Sequence, residues 1–152
     1  ASLVALGGYL LGSISGARLA VRLAAPGTDL DELRRHRGAG GASGTVTGIG
    51  AGTASIALGA RAGIVIGLFD ILKAFGPCLA LALLLPGQRY ELVFGLFAVA
   101  GHIWPVFHRF QGGRGLSPMV GSLLVVQPVG LVVAMVAGSP RGPACRPWSG
   151  RC

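Results

Sequence analysis

The sequence predicts an all-α fold: a polytopic membrane helix bundle with about four spanning helices plus short interfacial helices. Three observations carry this expectation. Of 152 residues, 52% are hydrophobic and only 12% are charged, and the mean hydropathy is +0.69; a soluble domain carries about 25% charged residues. The apolar residues gather in runs close to the ~20 residues that cross a bilayer. The 27 glycines suit helices that approach one another closely in lipid. They follow no three-residue period, and the apolar content is far above that of a disordered chain.

Residues 2–25 form the first spanning segment, with Gly7, Gly8, Gly12, Ser13, Ser15 and Gly16 along it and Arg18 and Arg22 near its end. A secretory signal peptide places its basic residues before the apolar stretch, so this segment reads as a retained helix with its N-terminus outside. Residues 26–50 are a polar connection. Asp29, Asp31 and Glu32 lead into Arg34, Arg35, His36 and Arg37, and then into GAGGASGT at 38–45. The glycine-rich part reads either as a mobile loop or as a phosphate cradle. A short interfacial helix is predicted over 51–60.

The second spanning segment, 62–85, closes at Pro86 and Gly87 and holds Asp70 and Lys73 in its middle. A charge inside a membrane helix costs about 2.5–3.5 kcal/mol on the insertion scale, so it is seldom incidental. The i, i+3 spacing puts both on one face, where they can pair. Two readings stand side by side: an ion pair that only holds helices together, or a Lys73 that faces an anionic ligand with Asp70 positioning it. The second is preferred. The third segment, 90–107, is interrupted by Gly95 and Gly101 and carries His102, which reads first as a packed, hydrogen-bonded residue. Trp104 and Phe107 suit the membrane–water interface. The fourth, 116–137, has Pro118 near its start and Pro128 in its middle, where a kink is expected. Residues 1–138 thus make one membrane domain, and 139–152, rich in Pro, Gly and Arg, read as a disordered tail.

The net charge of +8 is distributed as a membrane protein distributes it. Arg34, Arg35, Arg37, Arg61, Arg109 and Arg114 cluster in the connections between apolar segments, as cytoplasmic loops do. No aromatic stacking platform accompanies them, which argues against a nucleic-acid partner. Cys78, Cys145 and Cys152 lack metal-ligand spacing, and Cys78 reads as a small packed hydrophobe. No carboxylate cluster implies a metal, and no cofactor is expected.

The most informative stretch is GHIWPVFHRFQGGRG at 101–115. An apolar, aromatic segment ends in a glycine-rich turn bearing Arg109 and Arg114. Glycine reaches the positive-φ conformations of an anion-binding nest and puts no side chain in the way. Arg114 adds a charged fork for phosphate oxygens.

This run is similar to the second motif of the bacterial acyl-phosphate:glycerol-3-phosphate acyltransferase family, GH-x-FPVF-x-x-F-K-GG-K-G-V-A-T. Arg114 stands at one family lysine and Gln111 at the other, while Ser117 and Pro118 depart from the pattern. YLLGSISG at 9–16 resembles the family's opening YLLGSIPFG, with Ser13 at the matching serine. LGARAG at 58–63 and DILKA at 70–74 resemble LGKKAG and DLLKG. Each match is weak alone; together, in family order, they are specific. The family's first motif, GSGN-x-GATN, has only imperfect counterparts, in IGAGT at 49–53 or the glycine run at 38–45. Its third, HRENI-x-R, has none, and the chain reads as a truncated or divergent member.

The resemblance implies a multi-pass enzyme of the bacterial inner (plasma) membrane. It would move an acyl group from acyl phosphate to the 1-hydroxyl of glycerol 3-phosphate, giving lysophosphatidic acid and phosphate in phospholipid biosynthesis. Acyl phosphate is already a reactive mixed anhydride, so the protein must chiefly bind phosphate, align the reactants and stabilise oxyanion charge. The implied substrate-binding residues are Ser13, Arg35, Arg37, Lys73, Gly112, Gly113, Arg114 and Gly115, with Asp70 and His102 supporting. No residue stands out as a catalytic base. The rival readings are a non-catalytic membrane protein, such as a transporter or channel subunit with a water-lined path through Asp70 and Lys73, and a polybasic binder of anionic lipid.

Overall fold

The computed structural model describes residues 1–27 and 49–137. Every regular element among them is helical: α1 (Ser2–Gly12), α2 (Gly16–Ala24), α3 (Ala51–Leu58), α4 (Ala60–Leu84), α5 (Tyr90–Ile103), α6 (Leu116–Val126) and α7 (Pro128–Ala137), with one 3-10 turn at Val106–His108. Three stretches are long and apolar enough to cross a bilayer, Ser2–Ala24, Ala60–Leu84 and Tyr90–His108; Leu116–Val126 is apolar but shorter. Leu3, Leu83, Leu84, Leu96 and Val136 expose between 66% and 85% of their surface. A water-soluble monomer does not display such a band of large side chains; in a bilayer it is the lipid-facing surface.

Two of the expected spanning helices are broken. The first segment divides at 13–15, where Ser15 takes an extended conformation and caps α2 by accepting the Arg18 N–H at 3.4 Å. Serine is a preferred N-cap because its short side chain reaches an amide that lacks an intrahelical partner. The fourth segment stops at Val126, Gln127 leaves the helical conformation, and Pro128 opens α7. The expected kink is therefore a full break, with proline at the first helical position, where its missing N–H costs nothing. The interfacial helix predicted over 51–60 is α3. The proposed tail lies outside the described residues, as do Arg34, Arg35, Arg37 and the glycine run at 38–45.

Helix association in lipid relies on close van der Waals contact, because tails are as apolar as leucine. Here small residues supply it. α1 lies chiefly on α5, and α4 on α6 and α3. A Cβ on Gly8 would stand 2.7 Å from the Phe94 carbonyl oxygen; one on Gly12 would enter the Ala98 carbonyl, and one on Gly101 the Tyr9 carbonyl. Gly121 rests in the same way on the Ile71 carbonyl between α6 and α4. Two buried clusters result. Ala17, Val21, Ile49, Ala54 and Ile66 join α2, α3 and α4; Ala74, Cys78, Phe94 and Ala98 join α4 and α5. Cys78 is packed as expected, with no exposed surface.

Candidate active site

The break between α1 and α2 is where the fold brings its buried polar groups together. Ending α1 leaves backbone carbonyls without helical partners, and no water in a bilayer core can take their place. Lys73, in the middle of α4, reaches across to them. Its Nζ donates to the carbonyl oxygens of Ile14 at 2.6 Å and Gly12 at 3.2 Å. Asp70 Oδ1 lies 2.8 Å from the same ammonium, and His102 Nδ1 lies 3.2 Å away. An ammonium has no lone pair, so it donates to Nδ1 and the imidazole proton sits on Nε2. Asp70, Lys73 and His102 are 1%, 8% and 6% exposed.

Lys73 is therefore turned inward. Its N–H bonds go to two backbone carbonyls and an imidazole, and its charge is balanced by Asp70. The pairing with Asp70 that the i, i+3 spacing allows is present, and the ammonium additionally caps α1. Ser13 is similarly committed. Its hydroxyl donates to the Tyr9 carbonyl at 2.8 Å and accepts the Val106 N–H at 3.4 Å, and the residue has no exposed surface.

His102 links this cluster to the glycine-rich turn. Its backbone carbonyl accepts the Gly113 N–H at 3.0 Å, and its ring lies directly against Gly113. The Gly112 carbonyl accepts the Ile49 N–H at 3.0 Å, which brings the end of the first connection to the same place. The Gly113 amide thus serves the fold rather than an anion. Gly112 is glycine because a Cβ there would enter the His102 and Ile103 carbonyls.

The turn's outer half differs. Gly115 adopts the left-handed conformation, φ +75°, and is the N-cap of α6, making no side-chain capping bond. The first bond of α6 runs from Met119 N–H to the Gly115 carbonyl at 3.0 Å. The Leu116 and Ser117 amides therefore have no partner within their helix, and Pro118 has no amide to leave over. An 11-residue helix with a glycine cap presents partial positive charge and N–H groups to an anion. Arg114 is exposed beside them. Pro118, a departure from the family pattern, is fully buried in the first turn of α6, where proline is tolerated. Arg109 and Phe110 precede the turn at φ 51° and 59°, and this left-handed pair reverses the chain between Pro105 and Gln111.

Sequence reasoning missed the Tyr9 hydroxyl, which donates to the Trp104 carbonyl at 2.8 Å, and the reach of Arg18 to this turn. The four-residue spacing of Gly8 and Gly12 was the available signal for the close contact of α1 with α5. Among the described residues no group of three or more His, Cys, Asp or Glu side chains could hold a metal.

A family model described as glycerol-3-phosphate acyltransferase matches residues 2–139. Among curated relatives, glycerol-3-phosphate acyltransferase 5 of Dehalococcoides mccartyi is 36% identical over 138 residues, covering 88% of this chain and 52% of that protein. Glycerol-3-phosphate acyltransferase of Bacillus subtilis is 36% identical over 129 residues, covering 85% and 60%. The chain thus spans about half the length of the curated relatives it matches. The crystal structure of PlsY (YgiH), an integral membrane glycerol 3-phosphate acyltransferase, is similar in its glycerol 3-phosphate form with a TM-score of 0.69 and 27% identity, over 88% of this chain and 61% of that one. Its lysophosphatidic acid form gives 0.67 and 26%, over 88% and 60%. With its helices, its glycine-rich turn and these likenesses in agreement along almost all of its length, the chain belongs to the glycerol-3-phosphate acyltransferase family.

Proposed function

We propose that this chain transfers an acyl group from acyl phosphate to glycerol 3-phosphate in the membrane, with a phosphate site at its glycine-rich turn. The observation that carries the reading is the α6 N-terminus: a left-handed Gly115 cap, two amides without helical partners and the exposed Arg114, at the end of an apolar span. In the reaction the 1-hydroxyl oxygen bonds to the acyl carbonyl carbon, the bond from that carbon to the phosphate oxygen breaks, and phosphate leaves with the hydroxyl proton. A fixed set of backbone donors at a helix end stabilises this anionic traffic without reorganising. The fatty chain stays in the bilayer while its head meets the turn. The bacterial relatives and the arginine-rich connections favour the inner membrane, with the turn on its cytoplasmic side. His102 is buried and bonded within the fold, and it serves as a support for the turn.

The test is transfer from palmitoyl phosphate to labelled glycerol 3-phosphate by the purified chain in detergent, with Arg114→Ala alongside. The parent should form lysophosphatidic acid. Arg114→Ala should lose a charge-assisted contact, about tenfold or more in kcat/KM. A folded parent that yields no product would refute the reading for this chain.

A further inference from the structure

α2 closes the first span and α4 opens the second, so Ala24 and Ala60 lie at the same face of the bilayer. The two helices meet at Gly16, where a Cβ would stand 2.8 Å from the Phe69 side chain and 3.5 Å from Asp70 Oδ1. Beside that contact runs a groove of about 200 Å³, walled by Leu19, Ala20 and Leu23 of α2 and by Val65, Ile66 and Phe69 of α4. These walls are apolar, and Leu19, Leu23, Val65 and Phe69 are exposed, so the groove opens on lipid. Side chains four apart stack into a ridge along a helix, and Arg61, Val65 and Phe69 form one such ridge on α4. Helical side chains lean toward the N-terminus, which carries the exposed Arg61 away from the apolar stretch to the level of the headgroups. About 12 Å of helix separates Arg61 from Phe69, close to the depth of one leaflet. Arg61 stands in the first turn of α4, at the positive end of that helix. Arg22, exposed in the last turn of α2, adds a second positive charge at the same face.

We propose that this groove binds an anionic phospholipid of the membrane, with one acyl chain against Val65 and Phe69 and the phosphodiester on Arg61. An apolar furrow with cations at its headgroup end fits an amphiphile with a negative head, whereas a zwitterionic lipid would set its own cation against them. The residues are not those of the glycine-rich turn, and the inference does not depend on the transfer reaction. Because Gly16 lies against Asp70, a chain in the groove shields the contact between α2 and α4 and steadies the helix break.

The experiment is native mass spectrometry of the full chain in uncharged detergent, titrated with phosphatidylglycerol or with phosphatidylcholine of the same acyl chains. The parent should retain one phosphatidylglycerol and prefer it about fivefold, as one arginine at a membrane surface allows. Arg61→Gln should bring that preference close to one, and Arg61→Lys should keep most of it. Val65→Trp, which fills the groove from an exposed position, should weaken retention of both lipids. Arg89→Gln, between α4 and α5 at the other face, should bind as the parent does. Phosphatidylglycerol should also raise the thermal midpoint of the parent but not of Arg61→Gln, whose lipid-free midpoint should match the parent's. Equal retention of the two lipids by the parent would overturn the proposal. So would a preference that survives Arg61→Gln, or one that Arg89→Gln lowers as much, because net charge alone would then be acting. Unchanged retention in Val65→Trp would put the lipid elsewhere and overturn it too. Displacement of the lipid by glycerol 3-phosphate would make Arg61 a contact for a free phosphate ester, again against the proposal.

Discussion

Replacing Gly113 by alanine tests the link between the buried cluster and the turn most directly. The backbone at Gly113 does not need a positive φ, so any effect comes from the added methyl group. An ideal Cβ would fall against His102 Nε2, nearer than real Cβ atoms come to a neighbour, and stand 3.0 Å from the Ile49 carbonyl oxygen. Restoring the ~3.5 Å separation of ordinary contact moves the ring or the turn by about 1 Å. The ring cannot yield freely, because Nδ1 is held by Lys73 at 3.2 Å. The turn cannot yield without stretching the bond from the Gly113 N–H to the His102 carbonyl. Overpacking of this kind costs about 1–3 kcal/mol of stability, and a 1 Å misplacement in an aligned site costs about 10²-fold in rate. The expected outcome is a modest fall in thermal stability in detergent with a far larger fall in acyl transfer. Gly76→Ala is the control: an added Cβ there meets nothing within 4 Å. A Gly113→Ala protein as active as the parent would refute the idea that His102 sets the position of the turn.

Two further substitutions probe the frame. Lys73→Met should leave Asp70 buried without its counter-charge and the Gly12 and Ile14 carbonyls open, lowering stability by about 3–5 kcal/mol in a thermal unfolding series; a stable protein with merely weakened phosphate binding would restore the ligand-facing reading of Lys73. Gly121→Ala should force α6 from α4, because its Cβ would enter the Ile71 carbonyl and stand 3.1 Å from the Phe75 amide nitrogen, at about 1–3 kcal/mol; unchanged unfolding in detergent would show that this contact loosens freely.

Much of the bundle was legible because lipid imposes a strong composition rule. Length and hydropathy located the apolar segments, and Pro86 and Gly87 marked the turn between α4 and α5. Less legible were the breaks. Nothing in the hydropathy of residues 2–25 separates one long helix from two short ones, although Ser15 is a capping residue three positions before Arg18. Pro128 announced a disturbance but not its size. For the site, the i, i+3 spacing of Asp70 and Lys73 correctly paired them, yet spacing within one helix says nothing about which backbone the pair meets. The carbonyls that hold Lys73 are 59 and 61 residues away in sequence. The glycines of the turn were read as making room for an anion. At Gly112 and Gly113 the room is taken by the chain itself, and only at Gly115 does positive φ coincide with a helix end.

That distinction assigns the polar groups of the site to two tasks. A break in a membrane helix opens backbone groups that lipid cannot satisfy, each costing several kcal/mol. Ser13 and Lys73 are used on the break between α1 and α2, and Asp70 compensates the charge that Lys73 brings. His102 joins that buried assembly to the Gly113 amide. These side chains hold the two irregular segments in one geometry. In the proposed function the substrate is met from the rim, by the Leu116 and Ser117 amides and Arg114. A buried substitution should therefore lower stability and rate together, whereas a rim substitution should change binding in a protein that melts as the parent does. Thermal unfolding and glycerol 3-phosphate affinity measured on Lys73→Met and Arg114→Ala separate the two tasks. A Lys73→Met protein of parental stability with lost affinity would place the lysine at the rim after all.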